Sequence, residues 1–559
     1  MDNYQIADHF SLLSKLMDIH GDNPFKSKSY AAAAFNIEKL PLQLAAMTEK
    51  ERASAKGIGE STAKKIKELL ETGRLPALDE MIAKTPPGII EMLNIKGLGP
   101  KKISTIWKEL EIETIGELLY ACNENRLILY KGFGEKTQAN VKDSITFYLG
   151  NKGFFLYAQV EQALPVLLKH LHQWFPEKEI KITGAFRRCA EIIEVLECLL
   201  ASPADQARTK LAASDMLVPF KEEEHRLFYK VKEAGLTVCF HTGCTTNWQL
   251  FTTTGHPDFM SAFFSKYPQV SENGAATGSD EEIFTRAGAP YIPPVLRETA
   301  AILEHTAPLP PLVQFGDIKG IIHNHSKWSD GLNTIEEMAL ACINMGMEYL
   351  VISDHSKSAF YANGLSEERI KEQHAHIDEL NARLAPFKIF KSIECDILND
   401  GQLDYSDKIL ATFDLVIASV HSNLKMSEEK AMMRLMNAIK NPYTTILGHM
   451  TGRLLLSREG YPVNHAAIAD ACAEHSVAIE LNAHPSRLDI DWRHIGLALQ
   501  KGVPISIDPD AHHTDGFHDI HYGVLAAQKA GVQKHQNLSC YSLNEFEAYL
   551  AGVRKKKLG

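Results

Sequence analysis

No apolar run in this chain is long enough to cross a bilayer, which excludes an α-helical membrane span. The amino-terminal stretch MDNYQIADHFSLLSKLMDIHG lacks a basic segment leading into an apolar core, so no secretory signal is expected. Cysteine is sparse: 9 in 559 residues, an odd number without a C-x-x-C pair. That usage fits reduced thiols in a cytoplasm and excludes a disulfide-built scaffold. Positive charge is also short. The formal net charge of −11 at first sight argues against a nucleic-acid partner. The deficit is uneven, however: residues 1–150 hold 20 Lys and Arg against 20 Asp and Glu, and the remainder holds 39 against 50. Local basic clusters in the amino-terminal third can therefore still meet phosphates. What is present is ordinary for a globular protein, 45% hydrophobic and 23% charged residues. The length suggests three or four domains.

Residues 1–150 read as helical with Gly-centred breaks. Three breaks are alike: KGIGESTAKKIKELL at 56–70, KGLGPKKISTIWKEL at 96–110 and KGFGEKTQANVKDSI at 131–145. Each is Lys-Gly-apolar-Gly leading into a helix-forming segment. The candidate phosphate contacts are Lys56, Gly57 and Gly59; Lys96, Gly97 and Gly99; and Lys131, Gly132 and Gly134. The glycines allow a tight turn with exposed backbone N–H groups, and the following helix amino terminus favours an anion. This pattern resembles the helix-hairpin-helix motif, which holds a nucleic-acid backbone without reading its sequence.

Residues 151–275 are mixed, with helix around 156–175 and strand-like pieces at 179–184, 193–200 and 235–240. A Gly-, Ala-, Ser- and Pro-rich stretch from about 272 to 315, with the linker bounded as 276–315, reads as partly ordered with one helix near 295–305. From 316 to 559 short apolar runs alternate with helical stretches, the pattern of a parallel α/β barrel or sheet. His323, His325, Asp330, His355, Glu394, His421, His449, Asp510 and His512 fall at or just after the ends of those runs. Catalytic groups collect at carboxyl ends of strands in such folds, so a multinuclear metal site is expected. The mix of imidazole and carboxylate suits Zn²⁺, Mn²⁺ or Fe²⁺ better than Mg²⁺ or Ca²⁺. Arg453 in GHMTGR and Arg487 in HPSRLD follow barrel strands and are candidate phosphate holders, with Lys357 a weaker one.

Taken in order, the hairpins, the mixed region and the series IHNHSKWSDG, SDHS, IECDIL, ASVHS, GHMTGRLLL, ELNAHPSRLDIDW and DPDAHHTDG resemble a bacterial family X DNA polymerase with a carboxy-terminal PHP domain. NPFKSKSYAAAAFNI at 23–37 resembles the family's lyase-type domain, and GAPYIPPVLRE at 288–298 its connection into the PHP domain. The resemblance implies three parts. They are an all-α helix-hairpin-helix region, an α+β nucleotidyltransferase-like domain, and a distorted seven-stranded β/α barrel. It also implies three metal sets: His323, His325, Glu394 and Asp510; Glu394 again with His421 and His449; and Asp330, His355 and His512. Lys65 falls on the family's Schiff-base lysine, and Lys26 and Tyr30 near its 5′-phosphate site.

The middle domain departs from the family at its chemistry. In TGAFRRCAEIIEVLECLL the turn survives as Gly184-Ala185 and the arginines as Arg187 and Arg188. The family's Asp-x-Asp pair falls on Val195 and Glu197, its third carboxylate on Cys239, and its Thr-Gly-Ser contact on Thr254-Gly255-His256. Valine cannot ligate magnesium, cysteine prefers softer metals, and one carboxylate cannot clamp two ions. Glu191 and Glu194 lie near, but strand alternation sets Glu194 on the opposite face from Val195 and Glu197. The expectation is a DNA-binding, metal-dependent phosphoesterase with up to three Mn²⁺ or Zn²⁺ ions. It would act as a 3′–5′ exonuclease on gapped, nicked or 3′-recessed DNA, as a cytoplasmic monomer with a degenerate polymerase domain. Two alternatives stand beside it: an active repair polymerase with PHP proofreading, and a DNA-binding scaffold whose PHP site takes a small phosphate ester.

Overall fold

The computed structural model describes the chain except residues 2, 39, 41, 151–152, 177, 224, 233, 244–245 and 272–278. It divides into two units, Met1–Thr146 and Phe147–Gly559. Among its described residues the first unit is helical, with no strand. Its three Lys-Gly-apolar-Gly breaks share one geometry. Gly57, Gly97 and Gly132 take φ of 80°, 92° and 96°, a region a side chain would disfavour. The apolar residue between the glycines is buried in each: Ile58, Leu98 and Phe133. Each also donates its N–H three residues back, to Ala55, Ile95 and Tyr130 at 3.0, 3.1 and 3.1 Å. Gly59 and Gly99 cap the helices Glu60–Thr72 and Pro100–Lys108. Lys56, Lys96 and Lys131 are exposed.

The second unit holds two larger sheets. In chain order its first strands are β1 (Phe155–Leu156), β2 (Ile180–Thr183), β3 (Ile192–Ile193), β4 (Val195–Leu200), β5 (Leu217–Glu223), β6 (Arg226–Val231) and β7 (Thr237–Thr242). β1 pairs with β3, and the rest form a five-stranded sheet in the order β2-β4-β7-β6-β5. Only β4 and β7 run parallel within it, with Glu197 opposite Cys239. One face packs on the helix Tyr157–Trp174 through Leu167 and Leu171.

The segment expected to be a linker is packed. Its residues 276–278 lie outside the described ones. From Ser279 on, the helix Asp280–Ala287 is capped by the Ser279 side chain and closed by Gly288 at φ 68°. Ile283, Phe284, Ile292, Val295 and Leu303 bury against Phe251, Phe259 and Phe263, and fully buried Arg297 donates to Asp280 at 2.8 Å. Pro and Gly there shape tight turns rather than slack chain. In place of the helix near 295–305 stand the 3₁₀ turns Pro294–Leu296 and Ala300–Glu304.

The remaining strands are β8 (Gly320–Ile321), β9 (Tyr349–Ile352), β10 (Lys388–Asp396), β11 (Leu415–Ser419), β12 (Thr444–Leu447), β13 (Ala478–Asn482) and β14 (Ile505–Asp508). They form one all-parallel sheet in sequence order. A bridge between Asn324 and Ala511 joins the chain beyond its two end strands. The sheet is thus a nearly closed seven-stranded barrel. Its interior is floored by Tyr349, Phe390, Ile417 and Ile446, and plugged by Phe546 from the helix Leu543–Leu558. Above that apolar floor the barrel lining turns polar.

Candidate metal centre

Six of the seven barrel strands, together with the short loops that follow them, bring the nine imidazole and carboxylate candidates to one end. β8 leads to His323, His325 and Asp330, β9 to His355, and β10 carries Glu394 itself. β11 leads to His421, β12 to His449, and β14 to Asp510 and His512. Apolar strand interiors hold the backbone in register, so each terminal side chain is delivered to a fixed place. Two of the nine sit in the left-handed region, His323 at φ 59° and Asp510 at φ 52°. For a residue with a side chain that conformation costs about 1–3 kcal/mol and marks a position held by its surroundings.

Glu394 lies at the centre. Its Oε1 is 2.9 Å from His449 Nε2, 3.0 Å from His421 Nε2 and 3.3 Å from His323 Nε2. Its Oε2 is 2.9 Å from His355 Nδ1 and 3.6 Å from His325 Nε2. Asp510 Oδ1 is 3.0 Å from His325 Nε2 and 3.6 Å from His323 Nε2. Asp330 lies 3.4 Å from His512 Nε2 and 3.6 Å from His355 Nε2. The three sets implied by resemblance are each brought together. Their edges run into one another, since His325 also falls with Asp330, His355 and His512, and His355 with Glu394 and His421.

The donor set fits a cation. His323 Nε2, both ring nitrogens of His355, Asp330 Oδ2 and Glu394 Oε2 are buried and have no partner at hydrogen-bonding angles, yet they lie within a few ångströms of other ligand-type atoms. Buried polar atoms left so are costly unless a cation takes their lone pairs. Charge in the cluster is correspondingly divided. Burial alone would raise Glu394, but His421, His323 and His355 hold its carboxyl well below the usual range. Burial, with His355 and His512 beside it, pushes His325 down to about 3, leaving the neutral imidazole a metal requires. Burial opposes the charge on His421 too, but Glu394 and Asp396 carry it up to about 10.

Three residues outside the expected set orient it, and a fourth, Asp354, braces the loop after β8. Glu480, inside β13, accepts from His323 Nδ1 at 2.7 Å and from the His449 N–H at 2.5 Å. Asp396 pairs with His421 Nδ1. Asn482 Nδ2 donates to Asp510 at 3.0 Å. Asp354 takes the Ser326 N–H at 2.7 Å and the Gln373 amide at 2.6 Å. A carboxylate on the far ring nitrogen fixes a ligating histidine's tautomer and angle. The signal for Glu480 lay in β13, where a carboxylate stands among Ala478, Ile479 and Leu481, while Asp396 ends β10 two residues after Glu394.

The candidate arginines separate. Arg487 is buried, with Nε 4.0 Å from Asp510 Oδ2. Arg453 is not placed to hold a substrate phosphate. Its guanidinium donates to Glu191 at 2.6 Å, Asp491 at 2.5 Å and the Arg487 carbonyl at 3.0 Å, and also to the Leu488 carbonyl. It is a buried structural tie between the barrel and the loop before β3. Lys357 is partly exposed, 3.9 Å from Glu367. His484 and His513 accept backbone N–H groups from Ser486 and Gly516, which shapes their own turns.

In the five-stranded sheet Val195 stands opposite Thr237 and Glu197 opposite Cys239. Glu191 is engaged by Arg453 and Arg493, and Glu194 is exposed before β4, so neither joins Glu197. Arg187 donates to Thr254 Oγ1 at 2.6 Å and Asp280 at 2.9 Å. Gly184 takes φ 66° under the Glu197 carboxylate. In the helical unit Lys65 is half-buried on Glu60–Thr72, Lys26 is exposed, and Tyr30 packs 5.8 Å from Phe10.

Hairpin-built helices in one unit and a parallel barrel with a buried imidazole–carboxylate mouth in the other define a helix-hairpin-helix protein with a PHP-type barrel. Comparison with known proteins agrees. The helix-hairpin-helix domain family matches residues 1–75, the SAM-like helix-hairpin-helix tandem family 89–145, and the PHP domain family 322–484. A Bacillus subtilis protein named DNA polymerase/3′-5′ exonuclease PolX is 32% identical over 560 residues, covering 96% of each chain. Proteins named as probable phosphatases align with part of the chain. One from Caldanaerobacter subterraneus is 27% identical over 34% of this chain and 74% of its own. One from Thermoanaerobacter is 26% identical over 42% and 96%. The chain belongs to the bacterial PolX family, the family X DNA polymerases that carry a PHP domain.

Proposed function

We propose that this protein is a metal-dependent DNA phosphoesterase, a 3′–5′ exonuclease of DNA repair, working in the cytoplasm as a monomer. The observation that carries the reading is the buried Glu394 carboxylate ringed by His323, His325, His355, His421 and His449. Up to three Mn²⁺ or Zn²⁺ ions would be held, by His323, His325, Glu394 and Asp510; by Glu394, His421 and His449; and by Asp330, His355 and His512. Such ions activate water and neutralise charge on phosphoryl oxygens. The chain's own groups then do the rest. Glu480 and Asp396 hold His323 and His421 in one tautomer. Arg487 supplies a cation beside Asp510 for the flanking phosphate. The apolar barrel floor keeps bulk water from beneath the site.

In this reading Lys56, Lys96 and Lys131, with the glycine turns beside them, hold the backbone of gapped, nicked or 3′-recessed DNA. Lys26, Tyr30 and Lys65 would lie along the same path. The region 151–275, with the packed segment after it, serves as scaffold, its polymerase centre lost at Val195, Glu197 and Cys239. The rival reading, a working polymerase with proofreading, draws on the name of the Bacillus subtilis relative. Metal analysis with a product ladder on labelled gapped DNA tests the proposal. Metal-loaded protein should shorten 3′ ends, and chelation should stop it. Metal content that does not fall after His323→Ala with His325→Ala would overturn the site.

A further inference from the structure

The residues standing where the polymerase carboxylates belong form a constellation of their own. β4 and β7 run parallel with Glu197 opposite Cys239, and alternation along β7 puts His241 on the same face as Cys239. One ligand atom from each of Glu197, Cys239 and His241 lies within 4.8 Å of the other two. His241 Nε2 is 2.7 Å from Glu197 Oε2. Cys239 is 1% exposed, whereas the His241 and Glu197 side chains are 17% and 29% exposed, so the group opens to solvent on one side. Among the described residues no lysine or arginine forms an ion pair with Glu197. Arg226, opposite His241 on β6, pairs with Glu223.

We propose that Glu197, Cys239 and His241 form a single Zn²⁺ site, separate from the barrel centre, in place of the two-metal polymerase site.

The donor chemistry carries the choice of ion. One thiolate, one imidazole and one carboxylate are zinc ligands, and the first disfavours magnesium. The charge also closes: a thiolate and a carboxylate together balance one dication, so no net charge is left in a half-buried place. Two magnesium ions against Glu197 alone would leave a large positive excess. Three protein ligands leave a fourth position for water or a small anion from the open side. Geometry is close to what the ion needs. Zinc bonds of roughly 2.0–2.3 Å at tetrahedral angles set ligand atoms about 3.3–3.6 Å apart, so the His241–Glu197 pair opens slightly. Gly184 makes room for the carboxylate: a Cβ there would come within 2.3 Å of Glu197 Oε1. Burial, and then the Glu197 charge, push the Cys239 thiol up to about 12. The thiol thus keeps its proton until a cation draws it off, and zinc binding releases that proton to solvent.

Cobalt(II) on the full-length, metal-stripped protein tests this, because the nine barrel candidates include no thiol. A near-ultraviolet thiolate-to-cobalt charge-transfer band should appear, and added Zn²⁺ should bleach it. It should vanish in Cys239→Ser, weaken in His241→Ala and Glu197→Gln, and persist when His323→Ala and His325→Ala disable the barrel. Unchanged circular dichroism in Cys239→Ser guards against misfolding, and Glu197→Gln keeps the hydrogen bond to His241 while removing the charge. No band, or a band surviving Cys239→Ser, overturns the proposal. Neither result bears on cleavage by the barrel, which is measured separately.

Discussion

The barrel mouth and the face of the five-stranded sheet use the same device, parallel strands in register presenting side chains side by side, and reach different ends. In the barrel, Glu394 is ringed by His323, His355, His421 and His449, with Glu480 and Asp396 fixing the rings from behind. On the sheet, Glu197 meets Cys239 and His241 and, among the described residues, nothing else that could clamp a second ion. Under the proposed reading, the barrel keeps its donors and the sheet has exchanged them. The fold therefore says little about which site works, and the donor set says much.

The contrast breaks most sharply at its two carboxylates. Glu394→Ala should abolish phosphodiester cleavage, and Glu197→Ala should leave its rate within the scatter of wild type, both followed on a 3′-labelled strand. Equal losses would dissolve the distinction between the sites. Arg453→Ala comes next, as a change in stability. It strips a buried cation from Glu191 and Asp491, and breaking such a pair costs roughly 3–5 kcal/mol. The thermal midpoint should fall while cleavage per folded molecule holds. A normal midpoint with lost cleavage would return Arg453 to the substrate. Glu480→Gln should lower metal affinity or activity by roughly 10–100-fold, the usual effect of loosening a ligating histidine. An unchanged metal titration would make Glu480 a core residue only.

The smallest expected effect lies in the helical unit. Charge reversal of Lys56, Lys96 and Lys131 should weaken DNA binding for every sequence alike. It should also flatten the salt dependence by roughly 0.9 in log–log slope for each phosphate no longer neutralised. Anisotropy titrations at several salt concentrations read both. Unchanged affinity would mean that the hairpins serve packing alone.

Much of this was legible in the sequence, for physical reasons. A strand's end is marked by an apolar run stopping, so a histidine or carboxylate just beyond it announces itself, as at His323, His421 and His449. The hairpins were legible because Gly57, Gly97 and Gly132 need positive φ. Glu480 was hidden inside β13, where an acidic residue reads as an anomaly rather than a partner, and Asp396 at the end of β10 was overshadowed by Glu394. β5 was missed because it is an exposed, charge-rich edge strand with little alternation; β6 was missed although RLFYKV does alternate. The fate of Arg453 was out of reach, since its partner Glu191 lies 262 residues away. The linker reading failed because composition reports turns, while packing is decided by Ile283, Phe284 and Leu303 meeting Phe251 and Phe263.

The central claim is that one chain cleaves DNA with its barrel and no longer builds it with its sheet. A single primer–template, incubated with wild type, Glu394→Ala and Glu197→Ala, with and without nucleotides, tests it most directly. The primer should shorten with wild type and Glu197→Ala, stay intact with Glu394→Ala, and never lengthen. Extension that survives Glu394→Ala and disappears with Glu197→Ala would contradict the account and restore a working polymerase.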